Sequence, residues 1–189
     1  MRTTFLATAL GLLLGTQVAL AQAPGRQGPP TVFAEDPSLL SGQRLAQTQQ
    51  YYTGYRVLHL DVAALRAQLA GAPLEFTGGV PKLLTLPLPQ GGSATYQVLE
   101  SPVLAPSIAA QNPGIKTYSL QAVSGPSTGR LSLIDGVLNV VLFQADGERE
   151  VYFQHLDGAA DAYLNYSTGQ VELHQRAQAG GAAHRGLLA

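Results

Sequence analysis

The chain has 189 residues, contains no cysteine and carries a formal net charge of -1 at pH 7. A nearly neutral chain lacks the basic surface that attracts nucleic acid or an anionic membrane, so both are excluded as partners. The lack of cysteine also excludes disulfides, thiolate metal sites and thiol catalysis. We therefore expect a domain that is stabilised by the burial of apolar side chains alone.

Residues 1–21 have the pattern of a cleavable secretory signal peptide. Arg2 supplies a positive charge, residues 5–14 form an apolar stretch, and Ala19 and Ala21 are the small residues that a signal peptidase reads. This stretch is shorter than the roughly 20 apolar residues that span a bilayer, and no later segment approaches that length. We expect cleavage after this alanine pair and a protein that is secreted or periplasmic.

The exported chain would begin at Gln22. Residues 22–50 are rich in Gly, Pro, Gln and Ser, which is typical of a flexible, extended leader with at most a short helix near 37–47. Residues 175–189 are rich in Ala and Gly, have no apolar period and are expected to be a disordered tail. The folded, β-rich domain is therefore expected over 51–174.

Strand patterns dominate this predicted domain. A first strand over 55–60 leads to Asp61, a good N-cap for a helix over 62–70, and Gly71 is a typical left-handed helix end. Further runs rich in β-branched and aromatic residues predict strands over 83–88, 94–100, 116–123, 130–134, 137–144, 149–154 and 162–166.

Short turn sequences separate several of these strands. The pairs Gly91-Gly92, Asp135-Gly136 and Asp146-Gly147 each lie between two predicted strands, and Asp-Gly favours the type I′ turn of a tight hairpin. Consecutive hairpins produce neighbouring antiparallel strands. The sequence therefore predicts an α+β fold, mainly an antiparallel β meander, with one clear helix and a short helical crossover.

Catalytic patterns are missing from the sequence. The four histidines are not paired at helical spacing, so there is no HExxH zinc site; they are His59, His155, His174 and His184. The serine-rich stretch 124–129 lacks the strand-turn-helix setting of a nucleophile elbow. We expect a protein that is not an enzyme and that binds no metal or cofactor.

The segment between the strands at 94–100 and 116–123 contains an unusual number of specific residues. It combines a strand end, a corner fixed by proline, a helical turn that starts at Pro106 and a stop at Pro113. Proline is favoured at the first position of a helix and shortly after its end. This pattern predicts a well-defined crossover between two strands.

The same segment resembles the N-terminal pro-region of secreted bacterial reprolysin-like zinc metallopeptidases. The residues that carry the resemblance are Glu100, Ser101, Pro102, Ala105, Pro106, Pro113, Lys116, Thr117 and Tyr118. Two flanking patterns are similar in kind, at residues 72–76 and 84–91. The resemblance extends over about 51–166, whereas the catalytic domain of the family, with its HExxH motif, has no counterpart in this chain.

The resemblance implies a non-catalytic pro-region-like domain, stand-alone or truncated, that aids folding of a metallopeptidase or keeps it latent. Its partner would be a cognate metallopeptidase catalytic domain, and Asp146 is a candidate inhibitory contact. The alternative is a secreted β-rich adhesion or ligand-binding module, which would present an exposed aromatic platform. Neither interpretation fixes an oligomeric state.

Overall fold

A computed structural model describes residues 31–144, 149–159 and 161–171, and within these ranges nine strands form one antiparallel sheet. The strands are β1 (Phe33–Glu35), β2 (Arg56–Leu60), β3 (Lys82–Pro87), β4 (Ser93–Glu100), β5 (Ile115–Ala122), β6 (Thr128–Ile134), β7 (Val137–Phe143), β8 (Glu150–His155) and β9 (Ala162–Ser167). The helices are α1 (Gly42–Tyr51), α2 (Val62–Leu69) and α3 (Pro106–Gln111), with short 3-10 turns at Pro37–Leu39 and Thr168–Gln170. The described part is thus β-rich with few helices, consistent with the predicted α+β class.

The strand order follows the chain for most of the sheet. From β3 to β9 each strand pairs with the next one, while β2 pairs with β9 and β1 pairs with β2. Seven consecutive strands therefore form a meander, and the N-terminal strands extend its β9 side. The signal peptide sites Ala19, Ala21 and Gln22 lie outside the described residues.

The turn at Asp135-Gly136 fixes the register of the central hairpin. Asp135 has φ +49° and Gly136 has φ +96°, as a type I′ turn requires, and Ile134 pairs with Val137. From this closing pair the register places Ser132 opposite Asn139. The other predicted Asp-Gly turn lies outside the described residues.

Helix α2 begins and ends where the sequence indicates. The Asp61 carboxylate accepts a hydrogen bond of 2.8 Å from the Ala64 backbone N–H, and Gly71 has φ +66° just beyond the helix. Leu65 and Leu69 are buried on the face that packs against the sheet. One side-chain cap and two large apolar residues are thus enough to position this short helix.

The sheet curls around a single large core. One apolar cluster joins residues from both edge strands, including Phe33 in β1 and Leu84 in β3, to the buried side of α2. The rings of Phe33 and Phe153 lie 5.4 Å apart, which brings β1 against β8 across the inner face. We call this concave side the inner face and the opposite side the outer face.

A second, smaller cluster lies on the outer face over β2 and β9. It consists of Leu40, Val57, Leu156, Ala162 and Leu164, with Leu39 and Leu45 packed against it. The neighbours of these strand residues, Leu58 and Tyr163, belong to the inner core, as alternation along a strand requires.

Residues 31–50 contribute to both clusters, which corrects the expectation of a flexible leader there. Val32, Phe33 and Leu40 are buried, Phe33 pairs with Leu60, and the helix α1 extends beyond the expected 37–47. The expectation rested on polar composition, whereas the few apolar residues of this segment are spaced so that they cover exposed parts of the sheet. The described domain therefore starts well before residue 51.

Arg56 ties the two ends of the curled sheet together. Its guanidinium forms a 2.8 Å ion pair with Glu35 and donates hydrogen bonds to the carbonyls of Leu88 and Gly92, at 3.1 and 3.2 Å. Glu35 lies on β1, and the two carbonyls flank the turn between β3 and β4. One side chain thus links the β1 edge of the sheet to the β3–β4 hairpin at the opposite edge.

The free edge of β3 is partly blocked. The Gln68 side chain of α2 donates a 3.2 Å hydrogen bond to the Leu83 carbonyl, and Pro87 has no N–H to offer. An added strand would have to displace Gln68 from the Leu83 carbonyl and would find no N–H donor at Pro87. No helix in the described ranges is long and apolar enough to cross a membrane.

Candidate functional site

The residues of the family-like segment converge at the start of the crossover between β4 and β5. The Ser101 N–H donates to the Thr117 carbonyl at 2.9 Å, and the Thr117 hydroxyl donates to the Ser101 carbonyl at 2.7 Å. The Arg130 guanidinium donates to the Ser101 hydroxyl oxygen at 2.6 Å. Ser101 is buried, so these three bonds fix the point at which the chain leaves β4.

An ion pair crosses the same point. The Lys116 ammonium lies 2.6 Å from a Glu100 carboxylate oxygen, and the hydrogen bond to Glu100 raises the pKa of Lys116. Tyr118, which pairs with Glu100 across the strands, is buried, and burial raises the pKa of its hydroxyl. The sequence pattern thus marks a structural junction between two strands.

The crossover itself is a short helix held between prolines. Pro106 is at the first position of α3, after Ala105 as N-cap, and Pro113 follows the helix end. The Asn112 side chain donates to the Ile108 carbonyl at 2.9 Å and so satisfies an unpaired carbonyl of the last turn. Pro102, next to the anchored Ser101, restricts the backbone at the other end of the crossover.

Two large apolar side chains of this crossover face solvent. Val103 is 73% exposed and Ile108 is 50% exposed. They stand on backbone that is fixed at both ends by the contacts described above. The crossover therefore presents apolar groups on a defined support, the usual condition for a binding anchor.

The half-buried carboxylate of Glu75 lies beside Ser101, at the start of the crossover. Hydrogen bonds from the Ser101 and Ser119 hydroxyls lower the pKa of Glu75, assisted by the positive charge of Arg130 and opposed by burial. Glu75 also donates its backbone N–H to the Glu100 carbonyl at 2.8 Å. The segment before β3 is thus joined to the end of β4.

A groove of about 710 Å³ lies beside the crossover on the outer face of β5–β8. Two rows of side chains, in register across the strands, form its floor. The first row contains Thr117, Ser132 and Asn139, and the second contains Arg130, Val141, Tyr152 and Tyr166. Val103 forms one wall. Most residues of the two rows have a polar group on the side chain, in contrast to those of the inner face.

A tyrosine cluster closes the other end of the groove. The ring of Tyr166 lies 5.7 Å from that of Tyr152, nearly parallel, and 4.6 Å from that of Tyr52. The Tyr52 and Tyr166 hydroxyls both donate to the Gln154 side-chain oxygen at 3.3 Å, and burial raises the pKa of Tyr166. The rings pack against one another, whereas a carbohydrate-binding module is expected to present an open aromatic platform.

The sequence-predicted site residues separate into three groups. Glu100, Ser101, Lys116, Thr117 and Tyr118 come together at the junction, whereas Pro102, Ala105, Pro106 and Pro113 shape the crossover. Asp146 lies outside the described residues. No group of three potential metal ligands occurs in the ranges that the structure describes.

Sequence reasoning missed the groove residues Arg130, Ser132, Asn139 and Val141. A usable signal existed in the Asp135-Gly136 turn, because a two-residue hairpin loop fixes which residues face each other. Counting outward from that turn pairs Ser132 with Asn139 and Arg130 with Val141. The curvature that makes a groove from these rows depends on distant strands and has no local signal.

No protein-family model, curated protein or solved structure matches the chain. The resemblance to metallopeptidase pro-regions thus rests on the sequence pattern alone.

Proposed function

We propose that the chain is an exported, non-catalytic domain that acts as a metallopeptidase pro-region, by binding a reprolysin-type catalytic domain. Export is inferred from the signal pattern of residues 1–21, and the type of partner from the resemblance over the crossover. A pro-region works by covering a substrate cleft or by supporting a folding intermediate. Both tasks require a defined protruding surface and need no catalytic group.

The observation that carries this proposal is the anchored crossover with two exposed apolar side chains. Ser101 is fixed by three hydrogen bonds, and Val103 follows it by two residues. A rigid support lowers the entropic cost of binding, because little backbone freedom remains to be lost. Val103 and Ile108 would insert into apolar subsites of the partner.

Binding in trans tests the proposal. The purified chain from residue 22 is titrated against an activated reprolysin-like catalytic domain from the same source, with peptide hydrolysis and calorimetry as readouts. We expect inhibition and a complex. Val103→Ser should weaken binding about tenfold or more, since burying such a side chain contributes roughly 1.5 kcal/mol or more.

Val123→Ser is the matched control, because Val123 is also exposed, at 52%, but lies in the loop after β5. It should leave inhibition unchanged. Equal losses for both valine variants, or unchanged proteolysis at micromolar excess without a complex, would contradict the proposal and favour the ligand-binding module. Export is tested separately by intact mass, which should correspond to a chain that starts at Gln22.

A further inference from the structure

We propose that the groove on the outer face of β5–β8 is a binding site for an extended peptide segment that carries a carboxylate. This inference goes beyond the pro-region function and does not depend on it. It rests on the hydrogen-bonding character, the charge and the shape of the groove floor.

The floor offers free donors and free acceptors, and the Arg130 guanidinium adds donors only. The Gln154 side-chain oxygen already accepts from two tyrosine hydroxyls, which leaves its amide N–H groups to donate. In the described part of the chain, the side chains of Asn139 and Ser132 form no hydrogen bond within the protein. The backbone of an extended peptide, which carries both N–H donors and carbonyl acceptors, matches this set.

Arg130 gives the groove a positive charge at the β6 end of its second row. Its side chain is exposed and uses Nη1 for Ser101, so the remaining N–H groups of the guanidinium can bind a carboxylate. Two acids, Glu75 and Glu150, lie nearby. The pKa of Glu75 is lowered by the Ser101 and Ser119 hydroxyls and by the charge of Arg130, and the Tyr152 hydroxyl donates to Glu150 at the tyrosine end.

The length of the groove suits a short extended segment. Arg130, Val141, Tyr152 and Tyr166 occupy neighbouring strands, so three strand spacings of about 4.8 Å give roughly 14 Å along the row. An extended chain covers this distance with about four residues. Val103 and Val141 supply apolar contacts between the polar positions.

A peptide fits this floor better than a sugar does. Sugars in protein sites commonly stack on an open aromatic face, whereas Tyr52, Tyr152 and Tyr166 pack against one another and are each half-buried. The rest of the groove is lined by amides, hydroxyls, aliphatic groups, the His155 imidazole and the Arg130 guanidinium. These groups match peptide carbonyls, small apolar side chains and one acidic side chain.

The test uses the chain from residue 22 and two synthetic libraries of about six residues, a length that exceeds the groove. One library has glutamate fixed at a central position and the other has glutamine there. Affinity is measured by fluorescence polarisation, and the contacted residues are mapped by amide chemical shifts. Oligoglucuronate of similar length serves as the acidic sugar probe.

Two variants change the floor and one does not. Arg130→Gln removes the charge, and Asn139→Asp places a negative charge on an exposed position that has no partner to lose. Each should weaken binding of the glutamate library about tenfold or more, as expected for a charge-assisted contact. Arg66→Gln, a matched loss of charge on α2, should leave the dissociation constant unchanged.

Selective binding of the glutamate library with shift changes in β5–β8, weakened by the two groove variants alone, would support the proposal. If glutamine peptides bind equally well, the carboxylate assignment is wrong. Preference for oligoglucuronate would overturn the peptide assignment in favour of an acidic sugar. An absence of binding by all probes at millimolar concentration would overturn the site itself.

Discussion

The outer face of the sheet is covered over β2 and β9 and open over β5–β8. In the covered half the outward residues are apolar, as at Val57 and Leu164, and the N-terminal segment packs Leu40 against them. In the open half they are mainly polar, as at Ser132 and Asn139. The two halves share one sheet, so the difference lies in the side chains that alternate with the core.

This difference explains why one half of the outer face is covered and the other half is accessible. Covering Val57 and Leu164 removes apolar surface from water, which stabilises the fold by about 25 cal/mol for each Å² buried. Covering Asn139 without a partner would cost roughly 1–3 kcal/mol instead. The polar rows thus favour an accessible surface in this half of the sheet.

Removal of the covering segment should have the largest effect. A chain that starts at residue 51 loses the buried side chains Val32, Phe33 and Leu40 and exposes the second cluster. At roughly 1.5–3 kcal/mol for each large apolar side chain, the free energy of unfolding should fall by about 5 kcal/mol or more. Urea unfolding of chains that start at 31 and at 51 measures this difference, and equal stabilities would contradict the covering role.

A single substitution in the covered half should have the next largest effect. Leu40 is 3% exposed, so Leu40→Ala should lower the free energy of unfolding by about 2–4 kcal/mol. In the open half, Val141→Ala removes a partly exposed side chain and should cost about 1 kcal/mol or less. Urea unfolding midpoints would compare the variants, and a larger loss for Val141→Ala would reverse the assignment of the two halves.

Replacing Arg56 should have a smaller effect, because it removes polar contacts only. Arg56→Met loses the ion pair with Glu35 and two hydrogen bonds to carbonyls, which should reduce stability by about 1–2 kcal/mol. Lys116→Met, which breaks the ion pair of a more exposed cation with Glu100, should cost under about 1 kcal/mol. Thermal unfolding at two salt concentrations distinguishes them, and equal losses would argue against Arg56 as the tie between the sheet ends.

The smallest expected effect is the acid dependence contributed by Glu75. The pKa of Glu75 is lowered in the folded chain from its ordinary value of 4.5, mainly by the Ser101 hydroxyl. Its contribution to stability is therefore fully present above pH 4.5 and is lost as the pH falls through the folded pKa. Glu75→Gln should flatten this part of the curve of unfolding midpoint against pH. A carboxyl NMR titration that gives an undisturbed pKa would contradict the contacts with serine.

Local patterns were sufficient to predict much of the fold. Asp61 and Gly71 marked the ends of α2, Pro106 marked the start of α3, and the Asp135-Gly136 pair located the central hairpin. Each of these signals acts through backbone geometry within a few residues. Structure that depends on such short-range effects can be predicted from the sequence alone.

Long-range packing could not be predicted in the same way. Leu39, Leu40 and Leu45 lie among Gly, Gln and Ser, and their role is visible only once β2 pairs with β9 across about a hundred residues. The junction at Ser101 was found as a pattern, but its partner Arg130 comes from a distant strand. Composition describes a segment in isolation and does not indicate which surface it covers.

Hydroxyl-radical footprinting of individual side chains tests the division of the outer face most directly. Leu40 and Leu164 are 3% and 2% exposed, whereas Val103 is 73% exposed. We expect strong labelling of Val103 and of the groove residue Val141, and labelling of Leu40 and Leu164 only after unfolding. Labelling of Leu40 and Leu164 in the native chain at the rate of Val103 would show that both halves are open and would contradict this account.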